Sequence, residues 1–166
     1  LLLFSAGEGI ANSVAQNETI KIKFEVDVNP PAYAGFEHKY RLMPVPYEVN
    51  MYDLPSLFAG KIHAVICRTW QNRIKGRDLY DYIFYLSKGA AVNQKHLRQR
   101  LLQSGFITPS VECTLPEIKE MLCERFDQID YAQAKADVEP FIRNPSVLNI
   151  WSADFFKQIT ESLADK

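Results

Sequence analysis

Apolar and polar positions alternate along the first part of the chain and follow a helical period after it. From Ile20 to Val28 the alternation is strict. Ile20, Ile22, Phe24, Val26 and Val28 point one way, and Lys21, Lys23, Glu25 and Asp27 the other. That is the period of a half-buried strand. Asn29-Pro30-Pro31 ends it, and residues 32–37 read as a loop. His38 to Val45 predicts a second strand, ended by Pro44 and Pro46, and Tyr47 to Tyr52 a third. Leu1–Phe4 reads as the end of an element and Ser5–Thr19 as an irregular loop.

From Asp53 onward the pattern is helical. Asp53 caps a helix from Leu54 to about Thr69, with Pro55 tolerated in its first turn. Leu54, Leu57, Phe58, Ile62, Val65 and Ile66 form its apolar stripe. A basic connector, Gln71 to Arg77, leads to a second helix that carries Asp78 and Asp81 and closes at Gly89. Asn93 caps a helix through Leu102. Thr114-Leu115-Pro116-Glu117 has the form of a capping box. Asp130 and Ser152 start two further helices, and Trp70 and Trp151 read as core packing. The fold class is therefore α+β: a small mixed or antiparallel sheet in residues 1–52, then a helical bundle over 53–166 that completes the same domain.

Length and charge narrow the function. With 166 residues and a net charge of −1, the chain is not a whole-surface nucleic-acid binder. The charge is uneven, however. Between Lys61 and Gln103 stand nine basic residues and only two acids, a surplus of seven. Such a middle attracts phosphate-bearing ligands while the remainder keeps the chain neutral. The three cysteines, an odd number without metal-ligand spacing, read as reduced thiols of a cytoplasmic protein. No apolar run approaches transmembrane length, and His63 and His96, single and without ligand spacing, read as surface residues.

Lys61 falls inside the apolar stripe, four residues after Leu57 and four before Val65, and Arg68 sits above it two turns on. Two readings stand. Either an anion meets an ammonium carried towards the interior, or the side chain snorkels along the stripe edge to water. Asp78 and Asp81 share one flank of the next helix. They read singly as first-turn acids at a positive helix end, and together with Lys61 and the basic connector as a site. Glu25 and Asp27, on one strand face, are either a solvated face or a place for a shared divalent cation.

Leu54-Pro55-Ser56-Leu57-Phe58-Ala59-Gly60-Lys61-Ile62-His63-Ala64, then Cys67-Arg68, then Lys75-Gly76-Arg77-Asp78-Leu79-Tyr80-Asp81, resembles the C-terminal half of the AbiEii-type nucleotidyltransferases. These are abortive-infection and toxin–antitoxin enzymes of bacteria and archaea. The strand up to Pro31 is similar to the segment just upstream, so the resemblance covers roughly Ile20 to Leu86. It implies a nucleotidyltransferase fold and transfer of a nucleotide from a nucleoside triphosphate onto an acceptor such as tRNA or another RNA. It further implies Mg²⁺ or Mn²⁺ as cofactor and a cognate antitoxin protein as partner, with no membrane involved. By resemblance Glu25, Lys61, Asp78 and Asp81 are catalytic, Glu25 and Asp27 hold metal, and Lys61, Arg68, Lys75 and Arg77 bind nucleotide.

The sequence departs from that family's signature. Its Gly-Ser turn, followed closely by an acidic pair, has no counterpart, since Ser5-Ala6-Gly7 and Glu25-x-Asp27 stand too far apart. The expectation is that the N-terminal part of the fold lies upstream of Leu1 and that this chain alone is catalytically silent. The alternative from another class is a non-catalytic module that binds RNA or an antitoxin through its basic middle. A nuclease of the acid-x-lysine type would place the lysine after the acid, and Lys23-x-Glu25 has the reverse order.

Overall fold

The computed structural model describes residues 23–68 and 75–165. The chain divides into two units, residues 1–30 and 31–166. In the first unit, residues 23–30 carry no strand, and Phe24, Val26 and Val28 are exposed. This corrects the expected strand over its described part. Alternation assigns faces, but a strand exists only where a neighbour takes up its N–H and C=O groups, and no described residue pairs with this one. The expectations for residues 1–22, Thr69, Trp70 and Gln71–Ile74 lie outside the described residues.

In the second unit β1 (Phe36–Arg41) and β2 (Tyr47–Tyr52) form an antiparallel hairpin, with Phe36 opposite Tyr52 and Arg41 opposite Tyr47. β1 stops at Arg41, short of the expected Val45. Pro44 and Pro46 lie in the turn that follows, and neither has an N–H for a ladder.

Among the described residues six α-helices follow: α1 (Leu54–Cys67), α2 (Gly76–Ser87), α3 (Gln94–Gln103), α4 (Leu115–Asp127), α5 (Tyr131–Val138) and α6 (Ala153–Thr160). Most of their starts are set by local chemistry. The side chains of Asp53, Asn93, Asp130 and Ser152 accept from the backbone N–H three residues on, and Thr114 with Glu117 forms a capping box. α2 has no side-chain cap at Lys75. Its first residue, Gly76, is set by packing: a Cβ there would lie 1.9 Å from the Ala134 carbonyl oxygen of α5.

The core lies among the helices. Phe58 and Ile62 of α1, Tyr82 of α2, Leu97 of α3, Phe126 of α4 and Phe156 of α6 are fully buried. Each such side chain contributes about 1.5–3 kcal/mol through burial. The one polar atom Tyr82 brings inside is satisfied: its hydroxyl donates to Thr160 Oγ1 at 2.7 Å, because the Thr160 hydroxyl itself donates to the Phe156 carbonyl. Trp151 is buried in this core. Among the described residues no helix is long and apolar enough to cross a membrane.

A polar network fastens the loop before β1 to the helices. Ser56 is buried at the start of α1, and its hydroxyl accepts from the Gly35 N–H at 2.8 Å and from Asn93 Nδ2 at 3.1 Å. Asn93 also donates to the Tyr33 carbonyl. His96, expected at the surface, is 0% exposed, and one ring nitrogen, Nδ1, meets the Ala32 carbonyl at 2.9 Å. Its burial comes from this loop, 64 residues earlier in the chain, which no local pattern announces.

Candidate active site

α1 and α2 form an antiparallel helical hairpin, so the end of α1 meets the start of α2. Arg68 caps α1 at its C-terminus, where a cation suits the helix dipole, and Asp78 lies in the first turn of α2, where an anion does. Arg68 Nη1 donates to both carboxylate oxygens of Asp78, at 3.1 and 3.0 Å. Two turns back on α1 is Lys61, and its Nζ lies 2.6 Å from Oδ2 of Asp81. The hairpin thus carries two ion pairs side by side, and each acid takes one base.

The two pairs differ in burial. The Asp78 side chain is 7% exposed and Arg68 49%, whereas Lys61 and Asp81 are 38% and 37% exposed. Lys61 therefore combines both sequence readings: it lies at the edge of the stripe in contact with water, and an acid meets it there. Half-exposed pairs contribute only about 0–1 kcal/mol, so Lys61 can exchange Asp81 for another anion at little cost. Asp78 cannot lose its partner so cheaply, because it would remain a buried carboxylate without a counter-charge.

Arg77, one turn before Asp81, has its guanidinium carbon 5.5 Å from the centre of the Phe141 ring. It lines a pocket of about 280 Å³ with Tyr80, Asp81 and Phe141. Asp81 is thus shared between the Lys61 pair and this pocket. Lys75 stands at the N-cap of α2.

Arg100 of α3 adds a cation that the sequence reading did not single out. Its Nε donates to Nε2 of His96 at 3.0 Å. That bond leaves the proton of His96 on Nδ1, which donates to Ala32, so His96 is neutral. Burial above all, and then Arg100, lowers the His96 pKa. The Arg100 guanidinium lies over Gly60, 3.6–3.8 Å from where a Cβ would stand. His63 of α1 is half-buried, and its Nε2 is buried without a hydrogen-bond partner among the described residues. Burial first, then the charges of Arg100 and Arg68, push its pKa down to about 4. The expected surface histidine is a neutral ring in a positive field.

Glu25 and Asp27 belong to the first unit. Glu25 pairs with Lys23, and Asp27 Oδ1 accepts from the Asn29 N–H at 3.0 Å. Both carboxylates are engaged locally. Among the described residues no group of three or more His, Cys, Asp or Glu gathers as a metal site. Glu25 and Asp27 therefore do not form a prearranged site for Mg²⁺ or Mn²⁺.

A lysine and an arginine two turns apart on one helix are each held by an acid of the Arg-Asp-x-x-Asp run on the next. The sequence model of a family described as nucleotidyl transferase AbiEii toxin of type IV toxin–antitoxin systems matches residues 5–157. The chain belongs to that family. No curated protein and no solved structure matches it. The AbiEii match spans both units and includes every residue of the two ion pairs.

Proposed function

We propose that this AbiEii protein transfers a nucleotide from a nucleoside triphosphate to an RNA acceptor such as tRNA, with the α1–α2 hairpin as its phosphate-binding wall. The observation that carries the reading is the Lys61–Asp81 pair, an exchangeable cation 2.6 Å from an exchangeable acid. Phosphate oxygens replace Asp81 as the partner of Lys61, and the ammonium neutralises charge that builds on them in the transition state. An acceptor hydroxyl oxygen bonds to the α-phosphorus, and the bond from that phosphorus to the bridging oxygen breaks. Pyrophosphate leaves with the electron pair. The hydroxyl proton passes to Asp81, freed of Lys61, while Asp78 stays with Arg68 and keeps the two helix ends together. Lys75 and Arg77 add positive charge at the start of α2 and favour the approach of RNA.

The reading is tested by incubating the protein expressed from its complete gene with each labelled nucleoside triphosphate and total tRNA. Label incorporated into RNA, and lost in the Lys61→Met variant, is the expected result. RNA binding without incorporation of any nucleotide would favour a non-catalytic binding module.

A further inference from the structure

Arg100 is built as a ligand-binding arginine is built. A fully buried His96 fixes it through Nε, and the Ala32 carbonyl fixes His96 in turn. Neither terminal nitrogen of the guanidinium meets a partner among the described residues. The cations facing α2 both have carboxylates, Lys61 with Asp81 and Arg68 with Asp78, and Arg100 has none among the described residues. Its position is equally specific. The guanidinium lies against Gly60, the residue before Lys61, so Arg100 reaches α1 from α3 while Lys61 reaches α2 from the same helix turn. Arg68 lies two turns further, about 10 Å along the axis.

We infer that Arg100, oriented by His96, forms a second phosphate subsite over Gly60 that takes a terminal phosphate of the donor triphosphate while Lys61 takes a neighbouring one. The inference rests on the nucleotide-site reading above and adds a residue and a ligand group to it. A guanidinium with both terminal nitrogens free offers two parallel N–H donors, the fork that matches two oxygens of one phosphate. His96 is the positioning residue: neutral, it accepts from Nε and turns the two free nitrogens outward. His63 reports on the site, because the charge of Arg100 is one of the causes that hold its ring neutral.

The test is binding of inorganic tripolyphosphate, orthophosphate, a nucleoside triphosphate and a short single-stranded RNA to the chain, its Lys61→Met variant, and its Arg100→Gln and Arg100→Lys variants. Melting curves first establish that each variant is folded. Arg100→Gln should weaken tripolyphosphate and nucleoside triphosphate about tenfold to a hundredfold. It should barely change RNA affinity, and Arg100→Lys should recover part of the loss. In the unsubstituted chain, tripolyphosphate should raise the NMR-detected pKa of His63, a shift that a merely structural arginine does not produce. Unchanged tripolyphosphate affinity in Arg100→Gln, with a loss in Lys61→Met, overturns the Arg100 subsite alone. A loss confined to RNA overturns the donor assignment and places the acceptor backbone there. No triphosphate binding by the unsubstituted chain overturns the nucleotide-site reading and this subsite with it.

Discussion

One terminal nitrogen of Arg68 reaches both carboxylate oxygens of Asp78, at 3.1 and 3.0 Å, and the carboxylate, not the guanidinium, is the buried partner. The pair is asymmetric in consequence. Removing the arginine strands a charge in the protein, whereas removing the acid leaves an arginine that water can reach. Arg68→Met should therefore lower unfolding free energy by about 3 kcal/mol, the low end of the range for breaking a buried pair from one side, because the arginine itself is half exposed. Lys61→Met should change it by no more than about 1 kcal/mol, since that pair is half exposed and methionine keeps the apolar stem. Urea denaturation of the two variants checks the difference. Equal effects would mean that the burial of Asp78 is not what separates the pairs.

Gly76 sets helix propensity against packing. Alanine inside a helix is favoured over glycine by about 1 kcal/mol, so propensity alone predicts that Gly76→Ala stabilises. The Ala134 carbonyl oxygen 1.9 Å from the added methyl predicts the reverse. The obstacle is backbone and can yield only if α2 and α5 move apart. The expected outcome is a loss of about 1–3 kcal/mol, read as a fall in melting temperature. A rise would show that the helices do not approach as described.

What the sequence made legible was local. Asp53, Asn93, Thr114, Asp130 and Ser152 each announce a helix because the cap bond spans three residues, and Tyr47–Tyr52 alternates cleanly enough to be read to its ends. Lys61 and Asp81 were legible as an oddity, a cation in an apolar stripe near an acid that could answer it. What was not legible depends on distant chain. His96 is buried by a carbonyl 64 residues away, so its neutral state and the orientation of Arg100 have no signature in either local pattern. The alternation from Lys23 to Val28 was clear, yet it specifies only a face, and no described residue supplies the ladder. Gly76 was read within a basic run, while its role is set by α5, more than fifty residues on.

Two histidines make the fold sensitive to acid. In the unfolded chain a histidine takes up its proton near pH 6.5. Native His63 resists until about pH 4, and native His96 is lowered too, by burial first in both cases. Between those limits the unfolded state binds more protons. Stability is thus fully present above pH 6.5 and falls as the pH drops towards 4. Melting temperatures from pH 7.5 to 4.5 should decline, and the decline should be shallower in His63→Leu. Identical slopes in parent and variant would contradict a depressed His63.

Asp81 and Lys61 carry the last prediction, which concerns activity. If Lys61 leaves Asp81 for phosphate oxygens, each residue of the pair matters for a different reason: the lysine stabilises the transferring group, and the freed acid takes the acceptor proton. Lys61→Met should lower transfer by about a hundredfold to a thousandfold, the usual loss for one charge aimed at developing negative charge, with little change in stability. Asp81→Asn should also impair transfer. It leaves Lys61 without its resting partner, however, so triphosphate, no longer competing with a carboxylate, should bind as tightly as in the parent or more tightly. Asp78→Asn should behave differently, with altered stability and a smaller loss of rate, since its carboxylate serves Arg68 and the joint between α1 and α2. Transfer kinetics and triphosphate affinity, measured side by side for the three variants, separate the roles. Triphosphate binding no weaker than the parent's, with slow transfer, in Asp81→Asn alone is the outcome that the exchangeable pair requires. Parent-like transfer in Lys61→Met would reduce that pair to a surface contact.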